Sequence, residues 1–80
     1  MTSRDSRTAI VAAIVATAPD VADDIADVGD DVDLFEEFGL DSMDRLNIMT
    51  AIAESTGVAI PEDRYPELTT MSALIGLVST

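Results

Sequence analysis

The 80-residue sequence contains no cysteine, histidine, tryptophan or lysine. Without cysteine the chain has no disulfide and no thiol nucleophile, and without histidine it has no imidazole base and no ordinary zinc site. These absences exclude most hydrolase and transferase mechanisms. We therefore expect a protein that is not an enzyme and has no catalytic residue of its own.

Positive charge is also scarce, because four arginines stand against sixteen acidic residues and give a formal net charge of −12. This charge repels the phosphates of nucleic acid and the anionic surface of a membrane, so we expect neither as a partner. Protein partners should instead be basic. The charge also favours a monomer, and the length fits a single domain over residues 1–80, near the size at which stability is marginal.

The N-terminal segment places Arg4 and Arg7 before the apolar residues 9–16, a pattern that a secretory signal also shows. Asp5 lies within the basic part, however, and the apolar stretch is short and rich in alanine. Cleavage would also remove a large part of a minimal domain. We interpret the segment as the first core helix and expect a cytoplasmic protein.

Apolar residues recur at spacings of three and four in three segments, which predicts amphipathic helices over residues 3–17, 42–55 and 71–79. Thr56 and Gly57 should end the second of these helices, and Thr70 should cap the last. The chain has no alternating pattern typical of strands. We therefore predict an all-α fold, a four-helix bundle with three main helices and a short third helix between Pro61 and Pro66. The predicted buried residues of the second helix are Met43, Leu46, Ile48, Met49 and Ile52.

A long acidic loop is predicted after the first helix, which Thr2 or Ser3 caps and Pro19 and Asp20 stop. Unstructured connections of this length are uncommon, so the loop should be attached to the bundle by its own apolar residues. We expect one helical turn over residues 34–38. The apolar residues that punctuate the loop are Ile25, Val28, Val32, Leu34, Phe35 and Phe38.

The junction between this loop and the second helix reads Phe38-Gly39-Leu40-Asp41-Ser42-Met43-Asp44. Gly39 can adopt a positive φ, and Asp41 can cap the next helix with Asp44 three residues later. Ser42 then lies in the first turn with its hydroxyl facing solvent, where backbone N–H groups and the helix dipole favour an anion. Taken alone, this pattern is also an ordinary helix-capping device.

Residues 38–43 resemble the phosphopantetheine-attachment motif of acyl carrier proteins. At the expected distances from Ser42, residues 58–62 resemble the segment after the second helix of that family, and residues 68–71 resemble the entry to its last helix. The resemblance implies that Ser42 carries 4'-phosphopantetheine, which a phosphopantetheinyl transferase installs from coenzyme A. It also implies that the cargo is held as a thioester.

The same resemblance implies that partners dock on the outer face of the second helix. Asn47 and Ala53 stand where acidic residues are common in the family, and Arg45 adds a positive charge to this face. These departures favour a dedicated pathway partner over a general fatty-acid-synthesis carrier. The implied partner-binding residues are Asp41, Met43, Asp44, Arg45, Asn47 and Glu54.

An acyl chain would need an interior slot, which packing around small residues such as Ala12, Ala13 and Ala51 can leave. By resemblance, the residues that line such a slot are Met43, Leu46, Ile60 and Leu68. Core packing explains these four residues equally well. A small polar or aminoacyl cargo would stay outside in water.

The aspartates between Asp27 and Asp33 suggest a calcium loop, but the pattern fails at two positions. Val32 stands at the sixth position, where the sharp turn needs glycine, and Phe38 stands at the twelfth, where a bidentate glutamate belongs. We therefore expect no specific metal site.

Two functional hypotheses remain at this point. The first is a stand-alone carrier of a specialised biosynthetic pathway, modified on Ser42 and served by a transferase, an acyl- or aminoacyl-loading ligase and a downstream acyltransferase or synthase. The second is a non-carrier acidic helical module that binds a basic protein and uses Ser42 only as a helix-start residue. No residue decides between acyl and aminoacyl cargo.

Overall fold

Helices form most of the chain in the computed structural model, which describes the backbone of residues 3–79 and the side chains of residues 5–79. Three of them, of fifteen, fifteen and eight residues, are the main helices, so the predicted all-α fold with three main helices is confirmed. None of the described helices is both long and apolar enough to cross a membrane. In chain order the elements are α1 (Ser3–Thr17), a 3₁₀ turn (Pro19–Val21), α2 (Ala22–Ile25), α3 (Leu34–Glu37), α4 (Ser42–Thr56), a 3₁₀ helix (Glu62–Glu67) and α5 (Met71–Val78).

The core lies where α1 packs against α4 and α5. Each of these helices contributes buried residues four positions apart, which places them on one face of the helix. The pairs are Ile10 and Ile14 on α1, Ile48 and Ile52 on α4, and Leu74 and Val78 on α5.

The connection between α1 and α4 is more ordered than the predicted loop. Helix α1 ends at Thr17, before Pro19, as predicted, but Pro19 also opens an unpredicted 3₁₀ turn that continues directly into α2. Proline fits the first position of a helical segment because the N–H it lacks has no partner there. Val21 and Ile25 are buried, so this part of the connection belongs to the core. The turn predicted over residues 34–38 is confirmed as α3.

Hydrogen bonds attach the rest of the connection to the main helices. Arg7 on α1 pairs with the Asp30 carboxylate at 2.6 Å and donates to the Val28 carbonyl at 2.9 Å. The Leu34 N–H donates to the Thr69 carbonyl at 2.8 Å, just before α5. The connection therefore holds α3 in a fixed place relative to α1 and α5, and α3 in turn determines where α4 begins.

The short third helix is present, but Pro66 does not end it. It runs through Pro66 to Glu67 as a 3₁₀ helix, and the Leu68 N–H closes it on the Tyr65 carbonyl at 3.1 Å. Pro66 removes one backbone donor from a segment whose residues are exposed or half-buried. Water can replace that single hydrogen bond, so the break expected at proline does not occur.

Two predicted helix ends are confirmed by their geometry. The Thr70 hydroxyl accepts a hydrogen bond from the Ala73 N–H at 3.1 Å, and α5 begins at the next residue, Met71. Helix α4 ends at Gly57, which has a φ of 75° and donates its N–H to the Ala53 carbonyl. The cap predicted for the first helix at Thr2 or Ser3 concerns side chains outside the described residues.

Candidate functional site

A tight turn between α3 and α4 fixes the start of α4. The Leu40 N–H donates to the Phe35 carbonyl at 2.8 Å and the Gly39 N–H to the Glu36 carbonyl at 3.4 Å, the pair of bonds of a Schellman motif. Gly39 has the predicted positive φ, at 64°. A Cβ there would meet no heavy atom within 4 Å, so the backbone angle, and not space, is what favours glycine.

Helix α4 then starts with the predicted capping box. Asp41 Oδ1 accepts from the Asp44 N–H at 2.9 Å, and Asp44 Oδ2 accepts from the Asp41 N–H at 3.3 Å. The carboxylate of each residue therefore accepts a hydrogen bond from the backbone N–H of the other. Ser42 is left as the first helical residue with no part in the cap.

Ser42 is exposed, as the sequence predicts. The first intrahelical bond of α4 joins the Arg45 N–H to the Asp41 carbonyl at 3.0 Å. Among the described residues, no backbone carbonyl accepts a hydrogen bond from the N–H groups of Ser42 and Met43, as expected for the first turn of a helix. An accessible hydroxyl beside free N–H donors at the positive end of the helix dipole suits an anionic ester on Ser42 Oγ.

Replacing Asp41 with alanine should cost about 1 kcal/mol of unfolding free energy, because the Asp44 N–H loses its acceptor. Thermal or urea unfolding measures this loss. Asp41→Asn is the matched control, since an asparagine oxygen still accepts the hydrogen bond and most of the stability should be kept. Equal losses in the two variants would mean that the carboxylate charge, and not the cap, stabilises this end of α4.

Two apolar residues predicted to be buried lie on the surface beside Ser42. Met43 is 65% exposed and Leu46 is 38% exposed, whereas Ile48, Met49 and Ile52 are fully buried as predicted. The expected apolar stripe was therefore too wide at its N-terminal end. An exposed methionine next to Ser42 is a contact that a partner protein can cover.

The residues predicted for partner binding lie at different depths. Asp41, Asn47 and Glu54 are exposed, and Asp44 is half-buried by its role in the capping box. Arg45 was expected on the outer face of the helix. It is instead half-buried, with its guanidinium 4.5 Å from the centroid of the Phe35 ring on α3.

The four residues predicted to line an acyl slot lie at different depths in the structure. Met43 and Leu46 lie at the surface, Ile60 is half-buried against the core, and Leu68 is only 2% exposed within it. Two of the grooves formed by the described residues have none of these four among their lining residues. One, of about 500 Å³, includes Asp24 and Phe38 in its walls, and the other, of about 440 Å³, runs along Val11 and Val15 of α1.

Sequence reasoning missed two features that shape the site. Asp33 caps α3 by accepting from the N–H groups of Phe35 and Glu36, both at 3.1 Å. The spacing of Asp33 and Glu36 is that of a capping box, so this signal was available in the sequence. The contact between Arg45 and Phe35 joins residues ten positions apart in separate helices, and no periodicity predicts it.

Comparison with known proteins adds one positive finding. The family model described as the phosphopantetheine attachment site matches residues 9–78. The matched region includes the turn at Gly39, the capping box and Ser42. No curated protein and no solved structure shows a significant match to the chain.

Proposed function

The chain belongs to the phosphopantetheine attachment-site family, and we propose that Ser42 is the residue that carries the group. The family attaches 4'-phosphopantetheine covalently to a serine and acts as a carrier. The observation that supports Ser42 most strongly is its place in the site. It is an exposed hydroxyl in the first turn of α4, and Asp41 and Asp44 carry out the capping without it.

Other serines fit the role less well. Ser6 is fully buried and its hydroxyl lies 2.9 Å from that of Ser79. Ser72 also lies in the first turn of a helix and is exposed, but its N–H donates to the Asp30 carbonyl at 3.1 Å. Ser55 lies in the last turn of α4, at the end where the helix dipole disfavours an anion.

When attached, the group supplies a terminal thiol that binds the cargo as a thioester. The chain itself positions the serine, presents it to partner enzymes and has no catalytic role. Tethering keeps the cargo at a high effective concentration for an enzyme that has docked. A phosphopantetheinyl transferase loads the arm from coenzyme A, and a ligase and a downstream acyltransferase or synthase then act on the cargo.

Docking is proposed to occur on the α4 surface around Ser42. Exposed Met43 has Asp41, half-buried Asp44 and exposed Asn47 within four residues of it, and exposed Glu54 lies eleven residues further along α4, so a partner would meet an apolar side chain among polar ones. The net charge of −12 favours partners with basic grooves and makes association fast and dependent on salt. Arg45 contributes least to this surface because it packs on Phe35.

The cargo is proposed to be an acyl or aminoacyl group of a specialised pathway, and the carrier a stand-alone, cytoplasmic, monomeric domain over residues 1–80. For an acyl chain, exposed Met43 and Leu46 would form the entrance and half-buried Ile60 the wall of a slot that ends at Leu68. Because Leu68 is buried in the core, a chain that enters has to displace existing contacts. An aminoacyl cargo needs no such slot.

The experiment that tests this function is intact-mass analysis after incubation with coenzyme A, magnesium and a broad-specificity phosphopantetheinyl transferase. We expect a gain of one phosphopantetheine group. Trypsin, which cleaves after arginine here, yields a peptide of residues 8–45 in which Ser42 is the only serine, so the modified peptide identifies the site.

The competing hypothesis is the acidic interaction module without a prosthetic group. Membership of a carrier family supports the carrier instead. If the folded protein gained no mass with more than one transferase, the module would become the better hypothesis. A gain on a peptide other than residues 8–45 would keep the carrier and overturn Ser42.

A further inference from the structure

Arg45 differs from the other arginines whose side chains the structure describes. Arg7 pairs with Asp30 at 2.6 Å and Arg64 pairs with Glu67 at 3.1 Å. Arg45 has no carboxylate within ion-pair distance among the described residues. In a chain with sixteen acidic residues, a cation without a carboxylate partner requires an explanation.

The surroundings of Arg45 leave its charge only partly compensated. The guanidinium lies over the face of Phe35 at 4.5 Å from the ring centroid, within the range of a cation–π contact. Its Nε is buried and has no hydrogen-bond partner among the described residues. A buried donor without an acceptor costs free energy, so this arrangement is incomplete as a purely structural contact.

The position of Arg45 relates this incomplete contact to Ser42. The two residues are three apart on α4, so they are neighbours on the helix surface, and long helical side chains lean toward the N-terminus. Arg45 is also the only basic residue between Arg7 and Arg64 in the sequence. The acids nearest Ser42 in the sequence are Asp41 and Asp44, whose negative charge opposes a phosphate.

We propose that Arg45 is a phosphate-positioning residue, whose guanidinium compensates the charge of the phosphodiester attached to Ser42 and restrains the base of the arm. This inference rests on the proposed modification of Ser42. A guanidinium is suited to phosphate because its planar donors form charge-assisted hydrogen bonds with phosphate oxygens. Phe35 serves as the platform that orients it.

The test compares unmodified and modified protein in wild type, Arg45→Gln and Arg64→Gln, with mass spectrometry confirming the state of each sample. Arg64→Gln is the matched control because it removes the same charge at a position outside α4. Attachment of the group should raise the midpoint temperature of unfolding of the wild type. In Arg45→Gln this rise should be about 3 °C smaller, which is the size expected when a half-exposed ion pair is lost in a small domain. Arg64→Gln should behave as the wild type.

A second measurement needs no variant. The Nε–H signal of Arg45 in a ¹H–¹⁵N NMR spectrum of the wild type should shift on modification, while the signal of Arg64 should stay in place. This readout still tests the proposal if Arg45→Gln fails to fold because the contact with Phe35 is lost.

The outcomes separate the two proposals. If mass spectrometry finds no modified wild type, the proposed function fails. The inference about Arg45 is wrong if the protein is modified, the Arg45 signal does not move, and modification changes the midpoint temperature of both variants as it does in the wild type. Arg45 would then serve only to pack α4 against α3.

Discussion

Replacing Ser42 with alanine is expected to abolish attachment of 4'-phosphopantetheine and to leave the fold intact. The phosphodiester needs a hydroxyl oxygen, and alanine has none. Ser42 is exposed and takes no part in the capping box of Asp41 and Asp44, so the free energy of unfolding should change by no more than about 0.5 kcal/mol. Intact mass after treatment with a transferase measures the first effect, and a thermal melt measures the second.

Ser55→Ala is the matched control for this variant. Ser55 is an exposed serine at the opposite end of the same helix, so its replacement removes a hydroxyl without touching the turn at Gly39. We expect this variant to be modified to the same extent as the wild type. Modification of Ser42→Ala, or its loss in Ser55→Ala, would contradict the assignment of Ser42.

The features that sequence predicted best are those that depend on a few neighbouring residues. The positive φ of Gly39, the cap at Asp41 and the exposure of Ser42 all follow from preferences that act within one helical turn. The same is true of the cap at Thr70 and the glycine end of α4 at Gly57. The geometry around Ser42 is therefore local, and sequence was sufficient to predict it.

Features that depend on packing between helices were predicted less well. The spacing of Met43 and Leu46 fits the apolar stripe of α4, yet both are exposed, because helical periodicity does not fix how wide a face the neighbouring helices cover. Arg45 was placed on the outer face for the same reason. Only the position of Phe35 on α3 explains why Arg45 turns toward it.

The acidic connection shows a third reason for error. Pro19 was interpreted only as a helix stop, and α1 does end before it, but proline also favours a helix start, and the structure has a 3₁₀ turn followed by α2. The apolar residues of this region were expected to attach it to the bundle as a loop, and α2 was not predicted. Val21 and Ile25 are buried, and half-buried Val28 packs against the same core, so burial of these apolar residues favours the folded segment.

Replacing Ile48 with alanine is expected to produce the largest loss of stability among the changes considered. Ile48 is fully buried on α4, the helix that packs against α1 and begins at Ser42. Removing its side chain should cost about 2 to 5 kcal/mol, from lost burial and from the cavity left behind. A domain of 80 residues has a total stability of roughly 4 to 12 kcal/mol. A large share of the molecules should then unfold near physiological temperature, which urea unfolding and thermal melts would measure.

Ile48→Val tests whether packing is the cause. It removes a single methylene and should cost about 0.5 to 1.5 kcal/mol, so the two variants should form a graded series. Ile75→Ala on α5 provides a second comparison, because that side chain is only half-buried and should lose less than Ile48→Ala. If Ile48→Ala cost no more than Ile48→Val, the core between α1 and α4 would be able to collapse around the missing side chain. The first turn of α4, with Ser42, would then depend on the turn at Gly39 and the capping box more than on the bundle beneath it.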